Sequence, residues 1–399
     1  MEKRKLFKNE NKIDYAVILP VFLLCLVGLA SLYVASYHDP LKNGNPWSDV
    51  FQQLLWYIVG VIAVVVIMHI KPKQLWAMTK YIYAAGLVVM ALLVQFYDRG
   101  IESATGSKNW FSLGPITLQP SELMKIAMIL MLAMVVTRHN ANNQVRTLRT
   151  DGILIGKMLA VIAPVLLLIV LQDDFGTMLV FLAIFGGIFL MSGISWRIIL
   201  PVIAVFLVIS VGTIALVLTD GGREFLSDIG LFSDYQFARI DSWQDPFHDV
   251  QGDSRQVASA LMAIGSGGLF GKGFNISEID VSVRESDMIF SVIGENFGFI
   301  GSAFVVLLYF ILIYQMIRVC FDTNNEFYSY IATGIIMMIL FHVFENVGAN
   351  IGLLPLTGIP LPFISQGGSA LVSNMIGVGL ILAMRYQAPN EEPLKQTRR

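Results

Sequence analysis

The chain has 399 residues, of which 55% are apolar and only 14% are charged, and its formal net charge is −2. Together with a mean hydropathy of +0.67, this composition is typical of a protein surrounded mostly by lipid. The nearly neutral charge gives no reason to expect a nucleic acid partner. Cys25 and Cys320 lie in different apolar runs, so we expect packing roles for both and no disulfide.

Apolar runs recur from residue 14 to residue 386 with no long polar block between them, which predicts one domain over 1–399. A helix needs ~20 mostly apolar residues to cross the hydrocarbon core. The sequence therefore predicts an all-α polytopic membrane protein with ten transmembrane helices. The predicted spans are 14–37, 50–70, 76–97, 120–137, 155–171, 176–194, 198–218, 287–317, 328–350 and 366–386.

Lys and Arg near the span ends predict the orientation, because these residues are enriched on the cytoplasmic side. With the N-terminus inside, the basic residues on that side are Lys3, Arg4, Lys5, Lys8, Lys12, Lys71, Lys73, Lys80, Arg138, Arg146, Arg149, Lys157, Arg197, Arg318, Arg385, Lys395, Arg398 and Arg399. Both termini are therefore predicted to be cytoplasmic. The first apolar run is too long for a signal-peptide core, so we expect it to be retained.

Three segments on the opposite side are rich in Gly, Pro and charge, a poor composition for simple connectors. They are 98–119, 219–286 and 350–365. The longest is an extracytoplasmic loop between helices 7 and 8, with room for short helices such as one in 253–265, where apolar residues have helical spacing. This distribution concentrates function on the extracytoplasmic side.

Two acids mark the start of the eighth predicted span. Asp287, Ser291 and Glu295 are spaced to share one helical face, with Asp287 at the interface and Glu295 two turns deeper. The different depths predict different pKa values, a pattern that suits a catalytic base and a structural partner.

Other polar residues within or beside spans leave two interpretations open, because an unpaired charge in the bilayer is costly. Glu122 and Lys125 share a helical face and form either a local ion pair or part of a site. Asp173 and Asp174 either cap the following helix or contact a metal or substrate. The ninth span carries a polar stripe, which consists of His342, Glu345, Asn346 and Asn350.

Cations in the outer segments act either as interfacial anchors or, where several converge, as a site for phosphate or pyrophosphate. They are Arg99, Lys108, Lys125, Arg223, Arg239, Arg255, Lys272 and Arg284. The Gly-rich stretch 265–274 fails the Walker pattern, which argues against nucleotide binding. The five His residues have no metal-ligand spacing, so no metal site is assigned, although carboxylates could hold a divalent cation such as Mg²⁺ or Mn²⁺.

Several long stretches resemble the SEDS family of membrane glycosyltransferases (shape, elongation, division and sporulation), and within it the RodA branch of Gram-positive cocci. They are WFSLGPITLQPSELMK, LQDDFGT, RQVASALMAIGSGGLFGKGF, RESDMIFSVIGENFGFIGS and FENVGANIGLLPLTGIPLPFISQGGSALVSNMIGVGLIL. The resemblance covers essentially the whole chain. Gln366, where many members have Tyr, favours the coccal branch, whereas Asn109 replaces a frequent Arg.

The resemblance implies a peptidoglycan glycosyltransferase that polymerises lipid II on the outer face of the cell membrane during elongation and shape maintenance. It is an inverting reaction that releases undecaprenyl pyrophosphate, and Asp287 occupies the position of the family's essential carboxylate. Residues expected to bind substrate are Lys108, Glu122, Lys125, Arg239, Gln256, Lys272, Ser365 and Ser369. Supporting polar roles are expected for Asp174, Glu295, Glu345 and Asn346.

Partners implied by the resemblance are a class B penicillin-binding protein and elongation-complex membrane proteins such as MreC and MreD. The transpeptidase's single helix is expected against the eighth and ninth spans, on an apolar surface made by Phe290, Phe297, Phe341 and Phe344. Two alternatives remain open. One is a flippase or transporter for a lipid-linked oligosaccharide, since broken, Gly-rich and Pro-rich segments are also typical of carriers. The other is a noncatalytic scaffold, for which Asp287 would be dispensable.

Overall fold

The computed structural model describes residues 13–40, 44–114, 116–228, 234–323 and 325–387. Within these ranges, nine helices are long and apolar enough to cross a membrane. They are α1 (Tyr15–Tyr37), α2 (Trp47–Met68), α3 (Pro72–Phe96), α5 (Pro120–Asn142), α6 (Leu148–Val170), α8 (Trp196–Val217), α12 (Ile289–Asp322), α13 (Glu326–Asn350) and α14 (Ser369–Gln387). The chain is therefore a predominantly helical, multi-pass membrane protein.

The remaining predicted span, 176–194, corresponds to the shorter helix α7 (Phe175–Met191), which has 17 residues. At 1.5 Å per residue this helix is ~26 Å long, slightly less than the ~30 Å hydrocarbon core. The count of ten spans thus remains a prediction. The basic terminal residues used to predict orientation, Lys3 to Lys12 and Lys395 to Arg399, lie outside the described residues.

Shorter elements lie between the long helices. The connection from α3 to α5 contains α4 (Arg99–Thr105) and an antiparallel hairpin of β1 (Phe111–Leu113) and β2 (Ile116–Leu118). The long loop after α8 contains α9 (Asp220–Asp228), α10 (Asp234–Gln244) and α11 (Arg255–Gly267). Helix α11 is the one predicted within 253–265.

The helices at the centre of the bundle are α5, α13 and α14, whose apolar segments are 78%, 61% and 72% buried. Helix α14 packs on α2, and α13 packs on α5 and α7. In contrast, only 6% of the apolar segment of α8 is buried. Because a multi-pass protein is surrounded by lipid, this exposed helix needs no protein cover along its length.

The connections that contain the candidate residues meet at one end of the bundle, which we call the loop face. There, Lys108 N donates to Gln172 O at 2.8 Å, and Gln119 Nε2 donates to Asp174 Oδ2 at 3.1 Å. The loop after α8 joins the same face because Arg239 Nη1 donates to Leu356 O at 2.8 Å.

Helix α12 differs from the predicted span 287–317. It begins at Ile289, so Asp287 precedes the helix and does not share a helical face with Glu295. The helix is also broken at Gly298, where φ is 65° and ψ is −161°. A Cβ at Gly298 would lie 2.3 Å from Gly271 N, so only glycine permits this close approach.

Backbone groups freed by the break are satisfied by the loop after α11. Phe299 N donates to Gly268 O at 2.9 Å, and Ile300 N donates to Leu269 O at 3.1 Å. The residues from Phe299 to Asp322 would extend ~36 Å, enough to cross the bilayer without the first turns of α12.

Candidate active site

Asp287 lies on the loop face, half-buried in the turn before α12. Ser286 Oγ donates to Asp287 Oδ1 at 2.9 Å. Burial raises the pKa of the Asp287 carboxyl, and this effect outweighs the opposing hydrogen bond from Ser286 and the charge of Arg239. A carboxylate with a raised pKa is a stronger base than an exposed aspartate, which suits it to proton abstraction.

Arg239 on α10 and Asp287 border the same gap, whose floor is Gly358. A Cβ at Gly358 would lie 3.4 Å from Asp287 Oδ2 and 3.8 Å from both Nη atoms of Arg239. Gly358 has a φ of +81°, a conformation that favours glycine. A carboxylate and a guanidinium therefore face one small space without a side chain between them.

Glu345 lies behind this gap on α13 and is only 3% exposed. Its carboxylate faces Thr357 and is within electrostatic range of both Asp287 and Arg239. Among the described residues, no hydrogen bond of normal geometry satisfies either Glu345 oxygen or the Thr357 hydroxyl. Thr357 is the neighbour that most opposes the effect of burial, through its side chain and main chain, and a cation, a proton or a ligand would stabilise this buried carboxylate further.

Two asparagines of the predicted stripe hold the main chain of Asp287. Asn346 Nδ2 donates to Asp287 O at 2.8 Å, and Asn350 Nδ2 donates to the same oxygen at 3.0 Å. Both side chains are almost fully buried. Asn346 thus contacts the site through the backbone of Asp287, and Asn350, which the sequence analysis placed on the same stripe without assigning it a role, does the same.

Ser365 and Ser369, predicted to bind substrate, contact protein groups in the structure. Ser365 Oγ donates to Ser286 O at 2.7 Å and accepts from Leu361 N at 2.8 Å. Ser369 Oγ accepts from Gln119 N at 3.3 Å. Both residues are buried, and only Ser365 is adjacent to the Asp287 turn.

Glu122 and Lys125 form a buried ion pair. Lys125 Nζ lies 2.8 Å from Glu122 Oε2 and 3.0 Å from His342 Nε2, and the lysine is 1% exposed. His342 Nδ1 lies 2.6 Å from Met338 O, so Nδ1 carries the proton and Nε2 accepts from the ammonium group. In this conformation Lys125 is neutralised by its protein partners and is not presented to a substrate.

Lys108 is held by the turn between α6 and α7. Its ammonium group donates to Asp173 Oδ2 at 3.2 Å, and this hydrogen bond and charge raise the pKa of Lys108. Asp174 is the N-cap of α7, because Thr177 N donates to its Oδ1 at 3.1 Å, and Asn109 Nδ2 donates to its Oδ2 at 2.7 Å. Of the two interpretations of this acidic turn, the geometry supports capping for Asp174.

Glu295 and Lys272 fix the loop after α11. Lys272 Nζ donates to Glu295 Oε1 at 3.0 Å and to Glu278 Oε2 at 2.8 Å, and Glu278 N also donates to Glu295 Oε1. Glu295 therefore has a structural role beside the break at Gly298. Lys272, predicted to bind substrate, is occupied by these two carboxylates.

The structure thus brings Asp287, Arg239, Glu345 and Asn346 together, and it places the other predicted residues in separate contacts. Gln256 lies half-buried in the first turn of α11. In the described part of the chain, no group of three or more His, Cys, Asp or Glu residues could hold a metal ion. Gly358 and Thr357 were missed, although a Gly in the Pro-rich segment 350–365 was a local signal for close backbone approach.

Known proteins resemble this chain along its whole length. Stage V sporulation protein E of Bacillus subtilis is 30% identical over 92% of this chain and 96% of its own. A probable peptidoglycan glycosyltransferase FtsW of Enterococcus hirae is 30% identical, covering 97% and 95%. Peptidoglycan glycosyltransferase MrdB of Escherichia coli K12 is also 30% identical, covering 96% and 95%. These equal identities leave the branch within the family as a proposal.

Solved structures share the fold. A chain from work described as "Structural coordination of polymerization and crosslinking by a peptidoglycan synthase complex" has a TM-score of 0.73 at 23% identity, covering 95% of this chain and 99% of that one. The crystal structure of the rod shape determining protein RodA of Thermus thermophilus has a TM-score of 0.65 at 24% identity, covering 94% and 97%. At these identities the likeness concerns the fold alone. The family model FTSW_RODA_SPOVE, described as "Cell cycle protein", matches residues 15–390, and the chain therefore belongs to this SEDS family.

Proposed function

We propose that this protein is a peptidoglycan glycosyltransferase that polymerises lipid II on the extracytoplasmic side of the cell membrane during cell elongation and shape maintenance. The observation that carries the proposal is the gap at Gly358, where a carboxylate and a guanidinium converge. Relatives named peptidoglycan glycosyltransferases support the reaction class.

The reaction needs a base for a neutral sugar hydroxyl. Asp287 Oδ2 faces the gap, so it is the atom that accepts the proton of the acceptor GlcNAc 4-hydroxyl as the oxygen attacks the anomeric carbon of MurNAc. The bond from that carbon to undecaprenyl pyrophosphate breaks, and the configuration inverts. The pyrophosphate leaves as an anion, so it needs positive charge and no second carboxylic acid.

Among the cations expected to bind substrate, Arg239 is the best placed to stabilise the leaving group. Its guanidinium borders the gap opposite Asp287, whereas Lys125 is sealed against Glu122 and Lys108 is held by Asp173. Planar guanidinium groups also match the geometry of phosphate oxygens. We therefore propose that Arg239 contacts the pyrophosphate and that Lys125 has a supporting role.

A divalent cation is compatible with the oxygen atoms around the gap. Asp287 and Glu345 would hold Mg²⁺ or Mn²⁺ with help from the Thr357 hydroxyl, because hard oxygen ligands suit these ions and, within the described residues, the Glu345 and Thr357 oxygens form no hydrogen bond of normal geometry. When bound, such an ion would add positive charge beside the pyrophosphate.

A class B penicillin-binding protein is the partner we propose, with MreC and MreD as further members of the assembly. The structural neighbour from a peptidoglycan synthase complex supports a crosslinking partner. Phe344 on α13 is 55% exposed and can contact a partner helix, but Phe290 is 3% exposed and cannot. On α12, Phe299 and Phe304, which are 66% and 47% exposed, extend the available surface.

The decisive experiment supplies lipid II to the purified protein and its partner in liposomes and measures glycan polymer. Wild type should form polymer, and Asp287→Asn should lower the rate by about 10²–10⁴-fold, the usual contribution of a general base. Asp322→Asn, an exposed substitution at the other end of α12, is the matched control. Equal polymer from Asp287→Asn would refute the base assignment, and lipid transfer across the bilayer without polymer would support a flippase.

A further inference from the structure

Hydrogen bonds to the main-chain oxygens of three consecutive residues hold the turn that carries Asp287. Gln366 N donates to Glu285 O at 2.9 Å, and Ser365 Oγ donates to Ser286 O at 2.7 Å. The next oxygen, Asp287 O, receives the two asparagine amides at 2.8 and 3.0 Å. We call this arrangement the carbonyl cradle, and its donors are Asn346, Asn350, Ser365 and Gln366.

All contacts of the cradle are made to main-chain oxygens and none to the Asp287 side chain. Each donor binds a main-chain oxygen of residues 285–287, so the carboxylate of Asp287 is left to face the gap at Gly358. The donors come from positions at least 59 residues away in sequence, on α13 and the segment before α14. Such long-range contacts fix the turn relative to the bundle, which local hydrogen bonds cannot do.

The segment that supplies Ser365 is itself anchored to two membrane helices. Tyr57 OH on α2 donates to Phe363 O at 2.7 Å, and Tyr309 OH on α12 donates to Pro362 O. Gln53 Nε2 on α2 also donates to Ser365 O at 3.2 Å. Ser365 therefore lies in a segment whose position is fixed by contacts with α2 and α12.

Backbone strain supports the same conclusion. Val283 and Phe363 are non-glycine residues with positive φ, at 54° and 66°, and they flank the two sides of the cradle. This conformation costs of order 1–3 kcal/mol for each residue and persists only where surrounding contacts enforce it. The cradle contacts to residues 285–287 and the tyrosine contacts to Pro362 O and Phe363 O adjoin these two positions.

We infer that Asn346, Asn350 and Ser365 are positioning residues that set the direction of the Asp287 carboxylate without touching substrate. The inference rests on the proposed function and reassigns Ser365 from substrate binding to positioning. A displacement of ~1 Å at a reacting group can lower a rate by ~10²-fold. Loss of the Ser365 hydroxyl should therefore lower kcat for polymerisation by about 10²-fold and leave KM for lipid II within about twofold.

The test compares Ser365→Ala with Ser365→Thr, which keeps a hydroxyl, and with Ser192→Ala as the control. Ser192 is a matched position because its hydroxyl is also buried and also donates to a main-chain oxygen, Phe189 O at 2.7 Å, but at the other end of the bundle. Ser365→Thr should restore kcat, and Ser192→Ala should leave it unchanged. Thermal unfolding in detergent confirms that each variant is folded.

Hydrogen exchange gives a second readout that does not depend on turnover. In Ser365→Ala, peptides covering 280–292 and 360–368 should exchange faster, while the rest of the chain is unchanged. A higher KM at unchanged kcat would overturn the inference in favour of substrate contact, and unchanged exchange in 280–292 would overturn it in favour of an independent turn. Wild-type protein that makes no polymer would refute the proposed function, while the exchange experiment would still test the cradle.

Discussion

Replacement of Gly358 by alanine tests whether the gap between Asp287 and Arg239 is the reaction site. The added methyl group would lie 3.4 Å from Asp287 Oδ2 and 3.8 Å from the guanidinium nitrogens, so it would fit without a clash but would occupy the gap. A reacting group displaced by ~1 Å can lose ~10²-fold in rate. We expect kcat/KM for lipid II polymerisation to fall by about that factor, equivalent to ~2.7 kcal/mol.

Backbone strain must be separated from this effect, since alanine at a φ of +81° costs ~1–2 kcal/mol on its own. Gly106 provides the control, because its φ is +75° and no atom lies within 4 Å of its Cβ position. Gly106→Ala should lower the unfolding temperature by a similar amount and keep full activity. The reasoning would be refuted if folded Gly358→Ala polymerised lipid II at the wild-type rate.

Three further predictions concern charges at or near the site. Because burial raises the pKa of Asp287, its base form is lost at a higher pH than that of an exposed aspartate, and kcat/KM should fall with an acid midpoint above ~3.9; a pH profile checks this. Lys125→Met leaves the Glu122 carboxylate buried without its partner, so thermal unfolding should show a loss of ~3–5 kcal/mol that Glu122→Gln partly restores in the double variant. If Asp287 and Glu345 hold a divalent cation, electron paramagnetic resonance should detect Mn²⁺ bound to wild type, and Glu345→Gln should lower its affinity at least tenfold; equal affinity would exclude Glu345 as a ligand.

The membrane architecture was predictable because composition alone reveals segments that must be buried in lipid. Apolar length located the long helices, and helical spacing located α11 within the long loop. The ends of the helices were predicted less accurately than their positions in the chain. Helix α7 is shorter than its predicted span, and α12 begins at Ile289, two residues after Asp287. Both differences arise where backbone is satisfied by distant contacts, which hydrophobic periodicity does not encode.

The site was predictable only as a set of candidate residues. The acid at 287 stood out as a charge beside an apolar run, and the stripe on the ninth span identified Glu345 and Asn346. Their arrangement depends on partners such as Asn346 and Asp287, which are 59 residues apart. The sequence also suggested similar roles for Arg239, Lys125 and Lys272, whereas the structure separates them by their partners. Lys125 and Lys272 form ion pairs with buried carboxylates away from the gap, whereas Arg239 borders it.

Charge balance links Glu345 to the proposed reaction. Two carboxylates, Asp287 at the gap and Glu345 behind it, lie within electrostatic range of one guanidinium, Arg239, and the pyrophosphate of the proposed substrate would bring further negative charge. One arginine cannot neutralise all of these groups in a site of low dielectric constant. In the proposed reaction, an additional positive charge would therefore favour substrate binding, either a divalent cation beside Glu345 or a proton on its carboxyl group. Because only the cation would also assist departure of the pyrophosphate, the role of Glu345 determines whether Arg239 acts alone on the leaving group.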